Sequence, residues 1–145
     1  NDVVVDAYSG AGVLSGIMSQ KCKKVYGIEI VKPAVDSANK LAKENNIANL
    51  INICGDCAIE LPKLIEKLKD FVVVLDPPRK GCDMKVLNAL NKTLPNKIIY
   101  ISCNPATLAR DISLLKENYN VKEITPYDMF PQTANVETLV ILNRK

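Results

Sequence analysis

Val3-Val4-Val5-Asp6-Ala7-Tyr8-Ser9-Gly10-Ala11-Gly12 is the stretch that decides the fold. Three valines in a row form a continuous apolar run, which suits a strand covered on both faces rather than one half exposed to water. Two glycines follow at once, and a short helical pattern, Val13–Ser19, follows them. Glycine at such a strand-to-helix turn lets the backbone approach a ligand that a Cβ would exclude.

Working outward, compact β-branched runs alternate with helical patterns through most of the chain, the signature of a parallel sheet covered by helices on both faces. Strands are predicted at Val3–Ala7, Lys24–Ile30, Leu50–Ile53, Phe71–Asp76 and Lys97–Ser102. Helices are predicted at Val13–Ser19, Lys32–Asn45, Ala58–Leu68, Met84–Asn91 and Pro105–Lys116, with Pro33 and Pro105 tolerated in first turns where an N–H would lack an intrahelical partner. The rhythm then changes. Val121–Met129 and Val136–Asn143 read as strands joined by Phe130–Asn135, a connection too short for a helical crossover, so they are expected to pair antiparallel. The expected class is α/β: a Rossmann-like sheet of seven strands with a C-terminal antiparallel hairpin.

The 145 residues, 48% of them hydrophobic, are enough for one domain with a proper core. A net charge of +3 with scattered Lys and Arg is a weak footprint for a complete nucleic-acid binder. Five cysteines without regular pairing, and no apolar signal segment, point to a reducing and cytoplasmic setting. No apolar run approaches the roughly 20 residues that span a bilayer. Because Asn1 leads directly into a buried-looking strand, residues 1–145 are expected to be one domain cut from a longer protein.

Glycine loops of this kind serve nicotinamide, flavin and S-adenosylmethionine proteins alike, so the acidic positions carry more of the argument. Glu29, at the end of the second strand and 17 residues after Gly12, suits a carboxylate accepting from both ribose hydroxyls of an adenosine and repelling a 2′-phosphate. Asp56, just after the third strand, is placed to accept from an adenine amino group. Both lie at carboxyl ends of strands, where open α/β sheets bind ligands. Cys54-Gly55-Asp56-Cys57 has the spacing of a redox or zinc pair, but the chain has no His and no second such pair, so packed cysteines are the preferred reading and no metal is expected.

Two further segments are more specific: Leu75-Asp76-Pro77-Pro78-Arg79-Lys80-Gly81 and Ser102-Cys103-Asn104-Pro105-Ala106-Thr107. Together with Phe130-Pro131-Gln132-Thr133 and Val136-Glu137-Thr138, they closely resemble the RNA uracil-5 methyltransferases, and the resemblance runs the length of the chain. It implies a class I methyltransferase fold, S-adenosylmethionine as methyl donor and RNA as partner. It also implies Cys103 as nucleophile, Glu137 as general base, Tyr8 and Glu29 at the cofactor, Asp76 in the cofactor and target pocket, and Asp56 at the adenine, beside the Gly10 and Gly12 that the strand-to-helix turn already assigns to cofactor binding. Within RNA, 23S ribosomal RNA is the expected substrate, with transfer RNA left open. One position departs from the family, which usually has His two residues before the base, where this chain has Asn135.

The residues make chemical sense without the resemblance. Uracil C5 is a poor nucleophile, and adding a thiolate to C6 converts C4–C5 into an enolate that can attack a sulfonium methyl. Cys103 lies just before a helix expected to have Asn104 as cap and Pro105 at its first position, and a helix N-terminus favours thiolate. The C5 proton must then leave, for which a carboxylate is adequate. Arg79 and Lys80 are either phosphate contacts or a solvated loop pair. Two rivals stand beside this reading: an RNA cytosine-5 or other class I methyltransferase, kept open by Cys82 near the Asp-Pro-Pro turn, and a binding module for cofactor or RNA without turnover.

Overall fold

A computed structural model describes residues 2–129, 132 and 136–145. The elements in chain order are β1 (Val3–Ala7), α1 (Val13–Ser19), β2 (Lys24–Glu29), α2 (Lys32–Glu44), β3 (Leu50–Cys54) and α3 (Cys57–Ile65). There follow β4 (Phe71–Leu75), α4 (Met84–Thr93), β5 (Lys97–Ser102), α5 (Pro105–Leu115), β6 (Tyr119–Tyr127) and β7 (Glu137–Arg144). The strands form one seven-stranded sheet in the order β3-β2-β1-β4-β5-β7-β6. β1 to β5 pair in parallel, and β7 runs antiparallel to both β5 and β6. The expected α/β sheet with a C-terminal antiparallel pair is the one observed. The chain alone did not reveal that β7 inserts between β5 and β6.

The valine run of β1 is central because both of its faces are covered. Val5 and Ala7 belong to a core shared with Leu61 and Ile65 of α3, Leu87 and Leu90 of α4, and Leu115 of α5. Val4 faces the other layer, where Ala42 of α2 is buried and Leu14 and Met18 of α1 pack against it. Alternate side chains of one strand thus anchor two helical layers, as a period of two dictates. A fully buried Leu or Ile contributes roughly 1.5–3 kcal/mol, so the larger α3–α4–α5 layer accounts for most of the apolar stabilisation.

Helix entries follow local chemistry. Asp56, Asp83 and Asn104 cap α3, α4 and α5, each accepting from a backbone N–H two residues ahead, which satisfies one of the orphan donors of a first turn. α3 ends three residues earlier than its apolar pattern suggested. Leu68 N–H donates to Ile65 O at 3.2 Å, an i to i+3 bond that tightens the chain into the turn before β4, where Asp70 has φ +50°. β6 begins at Tyr119 and stops at Tyr127, two residues before expectation at each end. A register shift between Val121 and Glu123 leaves Lys122 as the bulged residue, and Pro126 is accommodated because β6 is an edge strand.

Candidate active site

Two clefts, each of about 450 Å³, meet at the carboxyl ends of β1, β4 and β5, and Asp76 lines both. This is the topological switch point of the sheet, where the connections leave β1 and β4 in opposite directions.

The first cleft is bounded by Tyr8, Glu29, Asp56, Asp76, Lys80 and Gly81. Four of the residues read from the sequence as cofactor contacts are therefore brought together from four different strand ends. Glu29 fastens the glycine loop, because its carboxylate accepts from Gly10 N at 3.0 Å and from Val31 N at 2.8 Å. Each oxygen keeps a lone pair for a ligand hydroxyl. Asp56 accepts from Ala58 N at 2.8 Å as the α3 cap and retains further acceptor capacity in the same way. Tyr8 sits at φ +67°, a costly conformation for a side chain of this size, and burial holds its phenol above the ordinary tyrosine range, with Cys82 adding to the effect.

The two glycines have different reasons to be glycine. Gly10, at φ +54°, has nothing within 4 Å of where a Cβ would sit, whereas a Cβ on Gly12, at φ +78°, would lie 2.6 Å from Ala38 Cβ. Gly12 is buried against α2 and does not line the cleft. Ile30, Pro78, Lys80 and Asp83 line it without having been singled out as cofactor contacts. Ile30 follows Glu29 and Asp83 is the α4 cap, so their positions next to recognised features were the available signal.

The second cleft is lined by Asp76, Ile101, Tyr127, Met129, Glu137 and Leu139. Its geometry follows from strand register. Tyr100 pairs with Val140 and Ser102 with Thr138, the last pair of the β5–β7 ladder, so Cys103, just past the end of β5, and Glu137, the first residue of β7, both lie at that end of the ladder. Tyr127 pairs with Glu137 from the other side. The thiol and carboxylate proposed for addition and proton removal, 34 residues apart in sequence, thus come to neighbouring strand ends. Cys103 is half-buried, and it is not part of the apolar lining. Asp76 is held above the usual carboxylate range, first by partial burial and then by the negative charge of Glu137. Tyr127, Met129, Ile101 and Leu139 left no trace in spacing, because only the tertiary register assembles them.

The turn bearing Cys103 is well fastened. Asn104 N–H donates to Ser102 Oγ at 3.0 Å, and Asn104 Oδ1 accepts from Ala106 N at 3.0 Å. The expected cap and first-position proline are both present. Cys82 offers a contrast: it is 5% exposed, and burial pushes its thiol up to about 12, which leaves it largely protonated at neutral pH. Of the Cys54/Cys57 pair, only Cys57 is packed, with its thiol donating to Ile28 O at 3.8 Å, while Cys54 is exposed. Asn135 lies outside the described residues. Among the described residues no cluster of three or more His, Cys, Asp or Glu could hold a metal ion, and no helix is long and apolar enough to cross a membrane.

A seven-stranded sheet with β7 inserted antiparallel between β5 and β6 is the architecture of a class I methyltransferase domain, as the family and the structural likeness below bear out. An rRNA methylase from Streptococcus thermophilus shares this fold with a TM-score of 0.73 at 18% identity, over 99% of this chain and 87% of that one. The family model for tRNA (uracil-5-)-methyltransferases matches residues 1–145, and the chain belongs to that family. A Clostridium tetani protein named as an RNA methyltransferase is 50% identical over 144 residues, which is 98% of this chain and 31% of that protein. The Pyrococcus abyssi tRNA (uracil-54, C5)-methyltransferase, solved in complex with S-adenosyl-L-homocysteine, superposes with a TM-score of 0.86 at 31% identity, over 98% of this chain and 34% of that one. The chain spans about a third of the length of the curated relatives it matches.

Proposed function

We propose that residues 1–145 are the catalytic domain of a longer enzyme that transfers a methyl group from S-adenosylmethionine to C5 of a uridine in RNA. One observation supports this reading above others: the β5–β7 ladder ends with Ser102 against Thr138, which brings the Cys103 turn and Glu137 to the same end of the sheet, where Glu137 and Asp76 line one cleft and Asp76 lines the other. The acidic cleft suits the methyl donor. Glu29, Asp56, Asp76 and Asp83 offer acceptors to ribose hydroxyls and amino groups and favour a sulfonium cation, whereas the pyrophosphate of a dinucleotide would meet carboxylates. S-adenosylmethionine, when bound, supplies an electrophilic methyl group.

The chain's own residues do the rest. The Cys103 thiolate forms a bond to C6 of the uracil, and the electron pair of the C5–C6 double bond moves onto C5 and O4 as an enolate, which takes the methyl at C5. Glu137 removes the C5 proton, the double bond re-forms and the thiolate leaves. Ile101, Leu139, Tyr127 and Met129 offer the uracil ring an apolar wall. The uridine must be flipped out of its stack to enter. Cys82 is 5% exposed, packed in the core and outside the lining of both clefts, which speaks against a nucleophile at the Asp-Pro-Pro turn, and so against the cytosine-5 alternative.

The target is read from the sequence as 23S ribosomal RNA, while similarity to a tRNA (uracil-54, C5)-methyltransferase supports transfer RNA. The test incubates the full-length enzyme with labelled methyl donor and unmodified ribosomal and transfer RNA, then maps the labelled base. Label at uridine C5 is expected. Cys103→Ala should lose methylation and the covalent adduct together, and Glu137→Gln should accumulate a methylated protein–RNA adduct that survives denaturing electrophoresis. An adduct that persists in Cys103→Ala, or label on cytosine, would overturn the reading.

A further inference from the structure

α5 turns one stripe toward the loop that carries Asp76, and every position on that stripe is engaged. Asn104 Nδ2 donates to Arg79 O at 3.2 Å, and Thr107 Oγ1 lies 3.1 Å from the same oxygen. One turn further on, Arg110 Nη2 donates to Lys80 O at 3.1 Å. Asp111 completes the set. Fully buried, it accepts from Cys82 N at 2.8 Å, from the Tyr100 hydroxyl at 2.6 Å and from Arg110 Nε at 2.8 Å. The spacing of three residues from 104 to 107 to 110 keeps these groups on one helix face.

The fit between loop and helix leaves little slack. Gly81, at φ +80°, closes a turn through its N–H to Pro78 O at 2.8 Å, and a Cβ there would lie 2.6 Å from Arg110 Nη2 and 2.7 Å from Asp111 Oδ2. The loop therefore rests directly on the Asp111 carboxylate. A buried carboxylate with all its bonds made is a stiff anchor, since breaking any one of them strands a charge or a donor away from water. The helix so anchored begins at the turn that bears Cys103, and the loop so anchored bears Asp76 and lines the cofactor cleft through Pro78, Lys80 and Gly81.

We propose that Asp111 is a positioning residue for methyl transfer: through Cys82, Tyr100 and Arg110 it fixes the Asp76 loop against the helix whose N-cap directly follows Cys103. The inference rests on the uridine methyl-transfer reading. Neither Asp111 nor its partners touch the reacting atoms; they set the separation between the thiolate and the methyl donor's cleft, and misplacement on the scale of an ångström costs rate far more than binding.

The test uses full-length Asp111→Asn and Thr107→Val, with active sites counted by covalent capture of 5-fluorouridine RNA. In Asp111→Asn one oxygen can still accept from Cys82 and Tyr100, but an amide NH₂ meets the Arg110 guanidinium. The expected result is a fall of about tenfold or more in kcat per active site, with RNA affinity unchanged, well below the melting temperature. Thr107→Val keeps the side chain's shape, loses only its donor, and should lower kcat about threefold. Should Asp111→Asn fail to fold, Tyr100→Phe, which keeps the ring and removes one donor to Asp111, decides in its place by the same fall in kcat per active site. A kcat per active site within twofold of wild type in the folded variants, whatever their melting temperatures, would overturn the inference. Wild-type enzyme that does not methylate RNA would instead overturn the functional reading, and this inference with it.

Discussion

Replacing Gly12 by alanine should destabilise the fold more than the same change at Gly10. At Gly12 the new Cβ would sit 2.6 Å from Ala38 Cβ and 3.2 Å from Ala38 Cα, both on α2, with φ at +78°. Apolar carbons rest at about 3.5–4.0 Å, so α1 and α2 must part by about 1 Å or the turn must distort. The left-handed conformation costs an L-residue about 1–2 kcal/mol, and overpacking adds about 1–3 kcal/mol. The sum is roughly 3 kcal/mol, or about 10 °C in melting temperature for a domain of this size. Gly10 has no atom within 4 Å of the new methyl, so only its φ of +54° is penalised, by about 1–2 kcal/mol. Urea unfolding of the full-length protein followed by circular dichroism, with the slope unchanged, measures both. Equal destabilisation by the two alanines, or a Gly12→Ala midpoint indistinguishable from wild type, would refute the assignment of Gly12 to helix packing.

Asp6 is buried beside Ser15, and burial pushes its carboxyl up to about 6, with the Asp76 charge adding and the Ser15 hydrogen bond opposing. A folded-state value above the unfolded one means that its contribution to stability is complete below about pH 4 and is lost as pH rises through about 6. Asp6→Asn, which can still accept from Ser15, should flatten stability between pH 4 and 7 and raise it above pH 6; an unchanged pH profile would count against this. Glu29→Gln leaves one oxygen for the Gly10 or Val31 amide and turns an NH₂ on the other. S-adenosylhomocysteine affinity measured by calorimetry should fall by about 1–3 kcal/mol, and no change would remove Glu29 from the cofactor site. Cys82→Ala should lower stability through the small void it leaves, yet still form the 5-fluorouridine adduct; loss of that adduct with the fold intact would move the nucleophile to Cys82.

Much of this molecule was legible in one dimension. Hydrophobic period distinguished β1 from α1 and α2, Asn104-Pro105 announced the start of α5, and the short connection before Val136 required an antiparallel pair. These are properties of neighbouring residues: side-chain periodicity, capping and the reach of a few peptide units depend on nothing distant. The positions of Glu29 and Asp56 on one cleft were legible from their places at strand carboxyl ends, and that of Asp76 from the motif resemblance.

The tertiary structure decided what those residues do to one another. Whether Glu137 meets Cys103 depends on the order of β5, β7 and β6 and on the register between them, which long-range pairing and the burial of Val140 and Leu142 fix together. A slip of one residue would turn Glu137 to the opposite face of the sheet. In the same way, nothing in Thr-Leu-Ala-Arg-Asp from Thr107 to Asp111 marks its aspartate as the anchor of a loop some 30 residues earlier in the chain. A buried carboxylate is stable only where donors converge on it, and that convergence exists only once the chain has folded.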